Sequence, residues 1–228
     1  MTFQRARSEE QREVRRRAIL DTAAAMLDAM PVSEVTLNEL SRRAGLAKSN
    51  VLRYFESREA VLLELLDRAT RQWLGELSGQ LAAAIGRRGT ARERGDQLAS
   101  LLARSVTPQR TLCDLLSAQA SVLEHNVSAE VAARYKRATL NNLAALTELA
   151  RRQLPELGGD GAWRVSAMTL VVIGALWSYA HPSASVLAAY EADPSLAALR
   201  VDFTVALEEA LATLITGTLT RTGPLRGR

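Results

Sequence analysis

Three observations predict an all-α protein. Ala and Leu dominate the composition, with only 13 Gly and 6 Pro in 228 residues. Apolar residues recur every three or four positions along most of the chain, the period of a helix with one buried stripe. No segment alternates β-branched and polar residues as a half-buried strand does. At 47% hydrophobic residues the chain has enough apolar material for a packed core. Its length suits a small domain joined to a larger one, and the expected division is a three-helix head over 1–58 and a helical body over 59–228.

The first helix is expected over about Ser8–Ala29. Its apolar face is Ile19, Ala23, Met26, Leu27 and Met30, its first half is charged through Arg12, Glu13, Arg15, Arg16 and Arg17, and Pro31 ends it. Thr36 and Glu39 have the spacing of a capping box, and Val35 and Leu40 that of a hydrophobic staple. They open a short helix that Gly45 stops. A third helix of about two turns follows over roughly Ala47–Tyr54. Ser57 then caps a long fourth helix with the stripe Val61, Leu62, Leu65, Leu66, Ala69, Trp73 and Leu77.

The body reads as helix after helix. Gly86–Gly89 is punctuation before a helix near Ala91–Arg104. Thr107-Pro108 reads as a cap with proline at the first helical position, opening a helix to about His125. Ser128 opens another, to about Leu154, and Gly158–Gly161 is expected to be a loop. The helix over about Ala162–Ala180 is apolar nearly all round, until His181-Pro182 breaks it. Asp193-Pro194 repeats the cap-plus-proline signal for a last helix bearing Leu196, Leu199, Phe203, Leu207, Leu211 and Leu214. The tail from Gly217 is expected to fray.

Charge and composition narrow the function classes. The net charge is +4, and residues 1–58 hold eleven Arg/Lys against eight Asp/Glu, so most of the excess is at the head. A basic excess there fits an anionic partner. The single cysteine, Cys113, allows no internal disulfide and suits a reducing compartment. The first residues do not read as a signal peptide. The most apolar run, Val165–Ala180, falls short of the roughly 20 residues of a membrane span, so a cytoplasmic location without membrane contact is expected. Enzyme chemistry finds little support. His125 and His181 lack metal-ligand spacing, Cys113 reads as a small buried hydrophobe, and Gly158–Gly161 lacks the lysine of a phosphate-binding loop. No catalytic residue, cofactor or metal is called for.

The helix, glycine turn and second helix over Val35–Leu62 carry the strongest signal. In such a pair the second helix enters the major groove while the first crosses the backbone. Here the second presents Lys48, Ser49, Asn50 and Arg53. Lys and Arg donate to guanine or phosphate, Asn bonds adenine, and Ser bonds either. Val51 and Phe55 are expected to face inward. Thr36 and Arg58 lie at helix N-termini, where free N–H groups attract phosphate. Arg42 adds charge beside them, and Arg5 and Arg7 lie on a basic arm that either touches DNA or has no role.

Residues 13–62 resemble the DNA-binding domain of the tetracycline-repressor (TetR) family of transcriptional regulators. The resemblance rests on Ile19–Ala23, Thr36–Gly45, Tyr54-Phe55 and Ser57–Val61. It implies a homodimeric repressor that binds a palindromic operator and is released by a small-molecule effector held in the C-terminal domain. It further implies phosphate contacts from Thr36, Lys48, Tyr54 and Arg58, and base contacts from Ser49, Asn50 and Arg53. Three positions depart from the family pattern. Leu52 stands in place of a tyrosine, Arg58 in place of a lysine, and Ala47 in place of a capping Ser or Thr, a loss of about 1 kcal/mol.

Candidates for an effector pocket inside the helical core are Trp73, Cys113, Leu116, Gln119, Tyr135, Asn142, Met168 and Trp177; core packing is the competing reading for each. A helix apolar on all sides is expected to be buried on both. With the last helix it would form a two-helix subunit interface around Val172, Leu176, Phe203, Leu207 and Leu211. The rival reading of the whole chain is a helical small-molecule binder or enzyme that keeps a degenerate head.

Overall fold

The computed structural model describes residues 2–84 and 89–221, and the side chains within 9–83 and 89–221. The side chains of Arg5 and Arg7, and Gly86 and the end of the tail altogether, therefore lie outside what is described. The described chain is all helix and turn. Its α-helices are α1 (Thr2–Leu27), α2 (Leu37–Arg43), α3 (Lys48–Leu52), α4 (Arg58–Ala84), α5 (Ala91–Val106), α6 (Arg110–Ala118), α7 (Ala129–Gln153), α8 (Gly158–Ala180), α9 (Ala184–Ala192) and α10 (Phe203–Thr220).

In the head, α1 packs on α4 and α2, and α3 packs on α2. The staple forms as its spacing predicts, because Val35 and Leu40 are both fully buried. The capping box forms only by half. The Thr36 hydroxyl accepts from the Glu39 N–H at 3.2 Å. The Glu39 carboxylate does not reach back; it binds Arg42 and Arg43, cations that outcompete a neutral N–H. The complete box is at α5, where Thr90 and Glu93 satisfy each other's backbone. Ser57 caps α4 through the Ala60 N–H at 3.1 Å.

Helix α4 carries the core from head to body. One buried cluster runs from Ile19 through Leu62, Trp73 and Leu115 to Ile215. In the body α4 packs against α5, α6 and α7, and α8 sits among α6, α7 and α10. At the crossing of α6 and α8 the helices approach so closely that a β-carbon on Gly174 would lie 2.8 Å from the Leu116 carbonyl oxygen.

Several sequence expectations are overturned in the body. Gly158–Gly161 is not a loop but the first turn of α8, with Gly158 entering at φ +65°. A first helical turn needs no N–H partners, so packing of α8 overrides the weak propensity of its glycines. Thr107 does not cap α6. It ends α5, its hydroxyl donating to the Ala103 carbonyl at 2.8 Å, and α6 starts at Arg110. Helix α6 stops at Ala118 and continues as a wider π-type turn over Gln119–Leu123. Helix α9 was not foreseen and buries none of its residues. The last helix is two pieces: a 3-10 turn over Pro194–Leu199, then α10, capped by Asp202 through the Val205 N–H at 2.9 Å. Helix α8 with its preceding turn, Pro155–Ala180, is 26 residues and long and apolar enough to cross a membrane, more than the sequence run indicated. Here its inner side packs against α6, α7 and α10.

The sharpest correction concerns the apolar sides of α8 and α10. Phe203, Leu207 and Leu211 are buried within the chain's own core, against α5 and α8, and do not line a free face. Helix α8 is apolar all round but buried on one side only. Its outer side exposes Met168, Val171 and Tyr179, with Val172 and Leu176 half-buried at the edge, and α10 exposes Val205.

Candidate nucleic-acid interface

The turn between α2 and α3 depends on Gly45, whose φ of +64° is left-handed and costly for any residue with a β-carbon. It sets α3 so that Val51 and Phe55 point into the core, both nearly fully buried. Lys48, Ser49, Asn50, Leu52 and Arg53 are exposed. Lys48, Ser49 and Asn50 of α3 and Arg53 at its C-terminal cap are thus all on the outside of the head. The N-terminus of α3 has no side-chain cap at Ala47, so its first N–H groups remain unbonded by a side chain there. Leu52 puts an apolar group on this exposed surface.

The flanking candidates differ. Thr36 is exposed, and after accepting from Glu39 its hydroxyl still has a proton to donate. Arg42 is exposed but grips Glu39 with two bonds, at 2.9 and 2.6 Å. Arg58 turns inward. Its guanidinium donates to the carbonyls of Val35 at 2.9 Å and Ser33 at 3.4 Å, and to Glu59 at 2.9 Å. This latches the start of α4 to the turn before α2, so Arg58 is first a positioning residue. In this structure backbone carbonyls and Glu59 hold the guanidinium expected to contact phosphate.

Glu39, between two guanidinium groups, has its carboxyl lowered to about 2, mainly through hydrogen bonds from Arg42 and then Arg43. A carboxylate depressed on folding stabilises above its unfolded pKa, and that contribution is lost as pH falls from about 4.5 toward about 2. A carboxyl-detected NMR titration should place its midpoint near the lower value; an ordinary carboxylate midpoint would mean that the two pairs do not persist in solution.

Two contacts that sequence reasoning missed hold the segment just after α3. Arg16 of α1 donates to the Tyr54 carbonyl at 2.8 Å, pairs with Glu64, and lies over the Phe55 ring at 4.4 Å. A signal existed: Arg16 falls on the helical stripe of Leu20, Ala23 and Leu27. Glu56 accepts from the Ser128 N–H at 2.6 Å, tying this segment to the start of α7. No local pattern announces a bond between residues 72 apart.

The interior candidates are mostly satisfied core residues. The Trp73 indole donates to Ser105 at 3.0 Å, and the Trp177 indole to Asp114 at 2.6 Å with Phe203 edge-on against it. Cys113 is buried, and its thiol is pushed up to about 12 by desolvation, which keeps it protonated and unreactive. Asn142 donates to Asp67 at 2.8 Å, and Gln119 to Glu124 at 2.8 Å. Leu116 is half-buried at the end of α6. Met168 is not in the core at all; it lies on the outer side of α8, 40% exposed. Tyr135 lines a cleft between α1, α4 and α7.

Residues 67–222 match the family described as "Tetracyclin repressor-like, C-terminal domain", and residues 19–65 match "Bacterial regulatory proteins, tetR family". The transcriptional regulator EthR of Mycobacterium tuberculosis is 42% identical over 55 residues, 24% of this chain and 26% of that protein. The match thus spans about a quarter of that relative's length. The regulator BetI of Brucella anthropi is 28% identical over 154 residues, covering 65% of this chain and 76% of that protein. Among solved structures, Thermus thermophilus FadR in complex with lauroyl-CoA shares the fold with a TM-score of 0.56 at 21% identity, covering 93% of this chain and all of that one. A TetR regulator from Rhodococcus sp. RHA1 aligns with a TM-score of 0.55 at 13% identity, over 95% of this chain and 100% of that one.

Proposed function

This chain belongs to the tetracycline-repressor (TetR) family of transcriptional regulators, and from that premise we propose that it is a repressor whose head binds a palindromic operator and whose body answers a small molecule. The observation that carries the reading is α3, held outward by Gly45 with Lys48, Ser49, Asn50 and Arg53 exposed together. Asn50 and Arg53 read base edges; Lys48, Thr36 and Tyr54 hold phosphates; Ser49 serves either. Arg42 reaches a phosphate only by loosening its grip on Glu39, and Arg58 sets the pose of α2 against α4. The head is residues 1–58 and the body 59–228. The chain acts in the cytoplasm, away from membranes, and is not an enzyme. The lauroyl-CoA complex of the Thermus protein supports a body able to hold a small molecule.

Two copies pair through the outer sides of α8 and α10. Met168, Val171, Ala175 and Tyr179 form one stripe at helical spacing, and Val205 lies on the neighbouring helix. An exposed apolar surface of this kind is what a subunit contact covers. A two-fold axis there sets two α3 helices on one palindrome.

Selection of bound fragments from a random DNA pool should return a palindrome whose affinity falls steeply with salt. Failure to retain any fragment at low salt would sink the regulator reading. On the selected fragment, Asn50→Ala or Arg53→Ala should cost about 1–3 kcal/mol and relax preference at one base pair per half-site. Lys48→Ala should weaken all sequences alike and flatten the salt slope. Reversal of these two patterns would exchange the assigned roles.

A further inference from the structure

A cleft of about 340 Å3 opens where the head meets the body, between α1, α4 and α7. Its apolar wall is Ala60, Leu63, Val131 and Ala138, with Tyr135 beside them. Its rim is charged, and the charges are unequally engaged. Glu64 is paired with Arg16, Asp67 with Arg71 at 3.0 Å and with Asn142 at 2.8 Å, and Glu13 with Arg17 at 3.4 Å. Arg134 is the exception: among the described residues no carboxylate pairs with it, and it is exposed on the first turns of α7. An entering cation would have to break an existing pair. An entering anion finds a guanidinium ready beside an apolar wall.

We propose that this cleft binds a small amphipathic carboxylate, with its acid group on Arg134 and its apolar body along the α7 side at Ala138 and the exposed edges of Val131 and Tyr135. The volume lies at the small end of ligand pockets, which fits a compact molecule. The guanidinium supplies a bidentate, charge-assisted partner for the acid.

The position couples this site to the head. Arg16 lines the cleft and also holds the Tyr54 carbonyl. Glu56 is held below the usual carboxylate range chiefly by hydrogen bonding from Ser128, at the start of the helix that carries Arg134, with a smaller contribution from the Arg134 charge. A carboxylate seated in the cleft lies between α1 and the start of α7, which hold the segment after α3 through the Arg16–Tyr54 and Glu56–Ser128 bonds, so a shift of either helix on binding is passed to that segment. This consequence rests on the regulator reading; occupancy of the cleft does not, and its test uses no DNA.

Phenylbutyrate and phenylbutylamine share an apolar body and differ in the sign of charge. Titrated into the full-length chain by calorimetry, phenylbutyrate should bind saturably and the amine should not. Arg134→Gln, an exposed substitution, should weaken phenylbutyrate about tenfold or more. Ala138→Trp, which fills the cleft from α7, should abolish binding while its melting curve stays that of the parent. Absence of saturation, equal binding of the amine, or unchanged binding to both variants overturns the proposal. The operator selection above fails or succeeds independently of these results.

Discussion

Phe203→Arg is expected to unfold the body rather than split a dimer. Phe203 packs edge-on against Trp177 at 4.8 Å and is nearly fully buried among α5, α8 and α10. Truncating a buried Phe alone costs about 3–5 kcal/mol, and an unpaired guanidinium in its place adds a desolvation penalty. A loss of this size is a large share of the 5–15 kcal/mol that holds a typical domain together. Circular dichroism should therefore show a melt lowered by at least about 10 °C, or no cooperative melt. Val205→Arg, two residues away on the exposed side of the same helix, should leave the melt of an isolated chain within about 0.5 kcal/mol of the parent. Under the proposed pairing, light scattering should find a dimer for the parent and a monomer for this variant. A folded monomeric Phe203→Arg protein would return the interface to the buried stripe. A dimeric Val205→Arg protein would move it off α10.

Gly174→Ala should cost about 2–3 kcal/mol, although alanine is the better helix former. The new β-carbon would sit 2.8 Å from the Leu116 oxygen, 3.0 Å from its carbonyl carbon and 3.2 Å from the Ser117 nitrogen. All three are backbone atoms, so no rotamer change relieves the contact; α6 and α8 must separate, and with them the Trp177–Asp114 bond. Gly75→Ala is the control. It lies in α4 with nothing within 4 Å of its β-carbon, and should stabilise by about 0.5–1 kcal/mol. Thermal melts of the two variants should move in opposite directions. A neutral Gly174→Ala would mean that the α6–α8 crossing gives way easily.

Local signals in the sequence specify structure where one residue type has one dominant physical use. Gly45 marks a left-handed turn because no other residue adopts that backbone cheaply. Val35 and Leu40 mark a staple, and Ser57 and Ser128 mark caps that bond as expected. Signals with several uses misled. Thr107-Pro108 has the letters of a cap, yet the hydroxyl serves the end of the preceding helix. Gly158–Gly161 has the letters of a loop, yet tertiary packing recruits it as the first turn of α8. Glu39 satisfies the box spacing, yet Arg42 and Arg43 lie nearer in charge and reach.

For this protein the sequence alone determined the helix count of the head, its glycine turn, the polar residues of α3 and the family, because each follows from interactions within a few residues or a compact motif. Only the tertiary structure decided which apolar side of α8 is core and which is free, and that the apolar stripe of α10 is core. A period of 3.6 residues shows that a helix has an apolar stripe; on a helix apolar all round it cannot choose between two. The same limit hid Arg16, Glu56 and the Arg134 cleft. Their partners are set by where α1, α4 and α7 cross, and that geometry is fixed by packing over the whole core rather than by any segment of it.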